Sequence, residues 1–407
     1  MKKLVIAVMA VAIMTFAISA NAADDKYVAG GFEANGHINT GFGFNYVGNN
    51  AANNGGAAGM LRDGWAGFRN VNYAKDWGYL LDEVELDITK SFGENIKARA
   101  DIAFGDQTIG STINGVALKQ AYVTANIAAG NGIEWLFGRF DAPIGYEAVD
   151  RNDNNTVTHS AIFNYNIRPR SLTGMKFYYA FSDAIDFHLW FANNLRDRLD
   201  TFRFDNKIMP AIGTRVGYTW GEEGTESTVG LSAAMSPEVN AGSKLGRMSY
   251  FADLDWNVWA TDAFVIGGEG IFRRDNAPTG ATSTMIFGGI LDLNYIFSDV
   301  WDGTLKYSIV RINNGAGTAT TATFAAPTYA AATTAGIIGT AASSGLRMGN
   351  NELGIAKGYL QEISLSPGYQ IADGAKFRCE YKLDWTKYSG FNKNLTHTLV
   401  GLLEYAF

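Results

Sequence analysis

The sequence predicts an all-β protein: a transmembrane antiparallel β-barrel of about sixteen strands, with short turns at one end and long loops at the other. Three observations carry this. Apolar and polar residues alternate with a period of two along nearly the whole chain. The connections between alternating segments are short and long by turns. The 407 residues are 47% hydrophobic and 13% aromatic, yet mean hydropathy is −0.05 and no internal run is long and apolar enough for a membrane helix. That apolar content excludes a disordered chain, and a single cysteine excludes a disulfide framework or a Cys-cluster metal site.

The first segment differs from the rest. Lys2 and Lys3 precede an apolar run from Leu4 to Ile18, and Ala20-Asn21-Ala22 follows. This is the pattern of a secretory signal peptide, residues 1–22, cleaved near Ala22. Losing Lys2 and Lys3 takes the formal charge from −7 to −9. An acidic mature chain, 23–407, argues against nucleic acid as a partner.

Alternation then begins. Phe32, Ala34, Gly36, Ile38, Thr40, Phe42, Phe44 and Tyr46 share one parity, opposed by Glu33, Asn35, His37, Asn39 and Asn45. Neighbouring side chains of a strand point to opposite faces, so one face is apolar and the other hydrated. Ile96 to Phe104 repeats this against Lys97, Arg99 and Asp101, and Phe377 to Trp385 against Lys376, Arg378, Glu380, Lys382 and Asp384. The expected strands are 31–46, 78–92, 95–106, 116–128, 133–140, 173–182, 185–193, 211–220, 227–237, 248–261, 264–274, 284–298, 301–312, 358–371, 375–388 and 395–407. Segment 116–128 is the least regular, being apolar on parts of both faces. Glycines within 264–271 and 284–290 point to close approach or curvature.

Short connections carry turn residues, as in Gly93-Glu94, Gly130-Asn131-Gly132 and Asp373-Gly374. Long ones fall near 47–77, 107–115, 141–172, 194–210, 238–247, 275–283, 313–357 and 389–394. Residues 313–345 are rich in Ala, Thr, Gly and Ser, a composition that buries no core and reads as a flexible extracellular loop. Phe92, Phe181, Trp220, Trp259, Phe264, Phe297 and Trp301 sit beside the short turns, as an interfacial girdle would. Backbone groups in hydrocarbon need internal partners, which a closed barrel supplies. Sixteen strands leave a water-filled lumen.

The last strand alternates Leu399, Gly401, Leu403 and Tyr405 and stops on Phe407. It resembles the terminal strand of bacterial outer-membrane barrels, which the assembly machinery reads. A second resemblance lies in Gly138-Arg139-Phe140-Asp141-Ala142-Pro143-Ile144-Gly145-Tyr146-Glu147, followed by Asn155, Ser160 and Tyr165. This stretch is similar to the OmpL-like family of β-barrel porins, which carries a G-[KR]-F-x-x-P-x-G-x-E segment. The resemblance implies an outer-membrane diffusion pore embedded among lipid and lipopolysaccharide, passing small hydrophilic solutes without cofactor, metal or catalysis. Sixteen-stranded porins are often trimers, so a homotrimer is compatible, although no interface is visible in the sequence.

In such porins the third long loop folds inward. Here that loop is 141–172, and the constriction candidates are Arg139, Asp141, Glu147, Asp150, Arg151, Asp153, Arg168 and Arg170. Charged rings set ion preference in pores. Parity gives further lumen-wall candidates: Glu83, Glu85, Asp87, Lys97, Arg99, Lys376, Arg378 and Lys382. Inward acids modestly outnumber bases, which implies weak cation preference unless local pairs cancel them. Two alternatives stand beside a general pore: a structural or adhesive barrel working through its loops, and a substrate-specific channel.

Other motifs fall away. Asp150 to Asn155 resembles a calcium loop, but the EF-hand positions for Gly and Glu hold Asn155 and Ala161. His159-Ser160 lacks a G-x-S-x-G context and an orienting third group. Cys379 lies on the apolar parity and reads as a small lipid-facing hydrophobe.

Overall fold

The computed structural model describes residues 27–29, 31–47, 75–105, 111–113, 116–164, 167–195, 209–238, 247–276, 283–314, 357–388 and 394–407. The expected signal peptide, most of the first long loop and the 315–356 part of the low-complexity loop lie outside them.

Sixteen long strands form the wall: β1 (Phe32–Val47), β2 (Lys75–Phe92), β3 (Ile96–Phe104), β4 (Val116–Ile127), β5 (Ile133–Asp141), β6 (Ser171–Ala180), β7 (Ile185–Ala192), β8 (Ala211–Trp220), β9 (Ser227–Glu238), β10 (Arg247–Thr261), β11 (Phe264–Asp275), β12 (Thr284–Ser298), β13 (Trp301–Asn314), β14 (Lys357–Ala372), β15 (Ala375–Tyr388) and β16 (Asn394–Ala406). Every one lies within three residues of its expected span at both ends. Two three-residue strands, Tyr27–Ala29 and Ser111–Ile113, pair with β1 and β4. Neither is visible as alternation.

Each strand pairs antiparallel with the next, and β16 pairs with β1, so the sheet closes. Leu399 faces Phe44, Gly401 faces Phe42 and Tyr405 faces Ile38 across the seam. Phe407 completes it: its backbone N–H and C=O each bond Gly36 at 2.9 Å. In the short turns, Gly93 and Gly374 take positive φ, which residues with a Cβ rarely adopt.

The two faces are inverted relative to a soluble protein. Outward Leu231, Leu365 and Phe297 are 61%, 56% and 67% exposed, whereas inward Ser232, Asp253 and Lys306 are almost wholly buried. Apolar area on that scale is stable only against lipid. Phe92, Phe181, Trp220, Phe297 and Trp301 are exposed beside the short turns, as a girdle requires. Trp259 departs from the expected girdle: it shares the inward parity of Asp253 and Asp255 and lines a lumen cavity.

Besides register shifts beside three of the short turns, two β-bulges break the parity within β1–β4 among the described residues. Between β1 and β2, Thr40 faces Leu81 but Asn39 faces Glu83, leaving Asp82 as the extra residue. Between β3 and β4, Ile102 faces Leu118 but Asp101 faces Gln120, leaving Lys119 as the extra residue. A bulge turns two consecutive side chains to one face. Leu81 and Leu118 stay outside, while Asp82 and Lys119 are buried inside.

Candidate functional site

The connection from β5 to β6, described over 142–164 and 167–170, crosses the lumen and fastens on the opposite wall. The first cause is apolar. Inward Leu136, Phe140, Trp190, Phe251, Ile271, Ile286 and Ile290 form a patch that a water-filled pore would leave wet, and Ile144, Ile162 and Ile167 of the loop cover it. Ile162 lies in a short helix, α1 (Ala161–Asn164), whose Ala161, Ile162 and Phe163 are all buried. The strand glycines make room. A Cβ on Gly288 would lie 2.7 Å from Ile162 Cδ1, and one on Gly267 would lie 2.2 Å from Tyr146 Cζ. Close approach of the loop is therefore what these glycines permit.

The second cause is a set of buried polar tethers. On β13, Lys306 Nζ donates to Glu147 at 2.9 Å, to Thr156 Oγ1 at 2.5 Å and to the Thr158 carbonyl at 2.6 Å. On β15, Arg378 donates to the carbonyls of Asn154, Arg151 and Asn152 while Glu404 on β16 holds its other edge at 2.7–2.9 Å. Glu380 accepts from the Thr158 N–H at 2.8 Å and hydroxyl at 2.6 Å, and Glu362 from the Ala161 N–H at 2.7 Å. From the near side, Lys119 contacts Asp150 together with Glu83 and Glu85, and Asp82 pairs with Arg151 at 3.3 Å. On β11, Glu269 accepts from the Tyr146 N–H at 2.8 Å, and Arg273 donates to the Ile167 carbonyl at 3.1 Å. In the water-poor interior such charge-assisted bonds are strong, and one missing partner is costly.

Most of the charges expected at a constriction turn out to be fasteners. Glu147 is buried between Ser160 and Lys306. Asp150 and Arg151 meet Lys119 and Asp82. Arg151 also bonds the Val157 carbonyl at 2.8 Å. Arg168 braces the carbonyls of Ile144 and Glu147 and lies 3.5 Å from Glu269. Arg170 sits over the Phe163 ring at 5.4 Å. Asp141 ends β5, with Ser171 Oγ 3.3 Å from its carboxylate. Arg139 shares the parity of outward Trp135 and Phe137, and its Nε donates to the Lys119 carbonyl at 3.0 Å. Asp153 lines open space.

That space is a cavity of about 530 Å³ under the loop, bounded by Tyr146, Asp153 and Asn155 of the loop and by Arg215, Asp255, Trp259 and Asp302 of the wall. Of the wall candidates, Arg99 pairs with Asp101 and Asp87, Lys376 with Asp302, and Lys382 with Glu362 and Asp384. Lys97 is exposed near the β2–β3 turn. The inward acids and bases are therefore largely paired. The acidic wall of β1–β3 offers the carboxylate groups that could hold a metal ion. Asp150 and Asn154 of the calcium-like stretch are engaged by protein groups instead.

Ser160 donates to Glu147 at 2.5 Å rather than to His159, so the adjacent His159 and Ser160 do not pair with each other. His159 stacks on Phe163 with centroids 3.8 Å apart, and its Nε2 bonds the Ala148 carbonyl at 2.9 Å. Its Nδ1 is buried without a partner. Burial, then the nearby Arg151, holds its pKa well below the ordinary 6.5. A neutral ring in the folded state and a titrating one in the released state make loop docking fully stable above about pH 6.5 and weaker as pH falls below it. Channel noise should rise below that pH in wild type and stay flat in His159→Gln. Identical pH profiles for the two proteins would refute this.

Among solved structures, the channel DcaP of Acinetobacter baumannii is similar with a TM-score of 0.61 at 11% identity, covering 93% of this chain and 99% of that one. OmpT of Vibrio cholerae, solved in a trimer form, gives 0.53 at 10%, covering 94% and 100%. OprB of Pseudomonas putida gives 0.51 at 11%, covering 93% and 94%. At these identities the likeness is one of fold. No curated protein matches in sequence. The family described as "Putative beta-barrel porin-2, OmpL-like" matches residues 31–406, from the start of β1 to the end of β16. The chain thus belongs to the OmpL-like β-barrel porin family, an outer-membrane porin whose family and fold are those of a channel.

Proposed function

We propose that the protein passes small hydrophilic solutes and ions by passive diffusion, with residues 141–172 as its constriction and a weak preference for cations. The observation that carries this is the docked loop, tethered from both walls above a polar cavity. The cavity lining supports the sign of the preference, since Asp153, Asp255 and Asp302 face one Arg215. Pairing of Arg215 with Asp255, and of Asp302 with Lys376, supports its weakness. We place the mature chain, after cleavage near Ala22, in the outer membrane among lipid and lipopolysaccharide, inserted by the assembly machinery through the strand ending at Phe407. A homotrimer is the proposed assembly.

Planar-bilayer recording of the refolded protein tests the reading. Small, discrete conductance steps are expected, with a reversal potential under a KCl gradient displaced modestly toward the cation value. Anion selectivity would overturn the cation preference. Absence of conductance would overturn the pore and favour a structural or adhesive barrel.

A further inference from the structure

We infer that the cavity under the loop is a holding subsite for a neutral, polyhydroxylated solute of monosaccharide size, stacked on Trp259. This deepens the diffusion-pore reading and rests on it for the solute's route. The cavity measures about 530 Å³ and is bounded by Tyr146, Asp153 and Asn155 of the loop, so it lies on the way past the constriction. Small-molecule sites have volumes of about 300–1,000 Å³.

Trp259 carries the argument. A rim tryptophan that anchors a barrel in the interface faces outward. This one faces inward and lines the cavity. Asp255, Asn257 and Trp259 occupy every second position of β10, so their side chains share the inner face in steps of about 7 Å. Opposite Asn257 stand Thr228 on β9 and Gly267 on β11. The cavity is built from glycines as well. Arg215 lies across Gly230 to reach Asp255, and the Tyr146 ring lies across Gly267, so a Cβ at either position would collide. Among the described residues, the side chains of Asp153, Thr228, Asn257 and Trp259 make no hydrogen bond to another protein group.

The charges select a neutral guest. Arg215 is paired with Asp255 at 2.7 Å and Lys376 with Asp302 at 2.7 Å, which leaves Asp153 as the excess. An anion would face three carboxylates. A cation would face the Arg215 fork and the indole N–H, which only donate. A hydroxyl both donates and accepts, so adjacent hydroxyls can use the Asn257 amide, the Thr228 hydroxyl, the Asp153 carboxylate and the indole N–H together. The C–H face of a pyranose ring matches the apolar face of the indole. Binding is weak, because a pore conducts only what it releases.

Ligand-observed saturation-transfer NMR tests this on the full mature chain, refolded free of lipopolysaccharide in a detergent without a sugar headgroup. Methyl α-D-glucoside should show saturable transfer. Trp259→Leu and Asn257→Leu should each weaken its binding at least tenfold, and Trp220→Leu, at an outward tryptophan, should leave it unchanged. Triethylene glycol, neutral but without adjacent hydroxyls, should show no saturable transfer, since a site built for hydroxyls rejects a solute lacking them. Heat-modifiable migration establishes that each variant is folded, and two cavity variants guard against one failing to fold. No saturable transfer from the glucoside in wild type would overturn the proposal. So would unchanged binding in either folded cavity variant, or tighter binding of methyl glucuronide or glucosamine. Conductance is recorded on the same preparations. A conducting barrel that does not bind the glucoside overturns the subsite alone, and a binding barrel that does not conduct overturns the pore reading alone.

Discussion

Replacing Lys119 by Met is expected to cost about 3–5 kcal/mol of stability, the largest loss from any single wall residue. The ammonium is 2% exposed and touches Glu83, Glu85 and Asp150 at once. Met keeps most of the volume, so packing is nearly conserved and the loss is electrostatic. Buried Glu83 and Glu85 and the partly buried Asp150 would be left without their common partner, and one of the two near-side tethers of the loop would go with them. The urea midpoint of the refolded barrel, read by heat-modifiable migration, should fall clearly. Adding Glu85→Gln and Asp150→Asn in the same chain should recover part of the loss, because the uncompensated charges are then gone. A single Lys119→Met variant with a wild-type midpoint would show that the carboxylates find other partners.

Lys119 also marks where the sequence stops being legible. Strand positions follow from alternation because lipid and water impose opposite demands on successive residues, and this holds from Phe32 to Phe407. A bulge inserts one residue and shifts that parity. Segment 116–128 looked apolar on both faces because Leu118 belongs to the outward set before the bulge and Ala121 and Val123 to the outward set after it. Lys119 sits at the join. Asp82 is hidden in the same way between Leu81 and Glu83. Parity placed Glu83, Glu85, Asp87, Arg99, Arg378 and Lys382 on the inner face, where the structure has them.

The loop was legible in position but not in detail. Loop order and the Gly138 to Glu147 stretch single out 141–172. Nothing in one dimension says that Arg151 meets Asp82 or that Glu147 meets Lys306, 159 positions away. The apolar patch was also hidden. Ile271, Ile286 and Ile290 read as ordinary strand residues until their inward direction and the covering Ile162 are known. Gly267 and Gly288 carried a signal, since glycine weakens a strand interior unless something must approach closely.

Arg378 governs the far end of the same loop, and Arg378→Met is expected to release it. The guanidinium is gripped by Glu404 on one edge and donates from the other to three carbonyls around the 3₁₀ turn Arg151–Asp153. Each hydrogen bond to a charged group contributes about 1.5–3 kcal/mol, so losing even one shifts the docked-to-released equilibrium roughly 10- to 150-fold. The barrel itself should persist, because its ladder of backbone bonds is untouched. Open-channel conductance should then rise at least twofold, with flicker as the loop exchanges between positions, and larger neutral polymers should enter. Arg378→Lys should fall between, since an ammonium keeps the charge but loses the planar fork that reaches both Glu404 and the carbonyls. Wild-type conductance and polymer exclusion in a folded Arg378→Met barrel would mean that Lys306, Glu380 and the apolar contacts of Ile162 hold the loop without it.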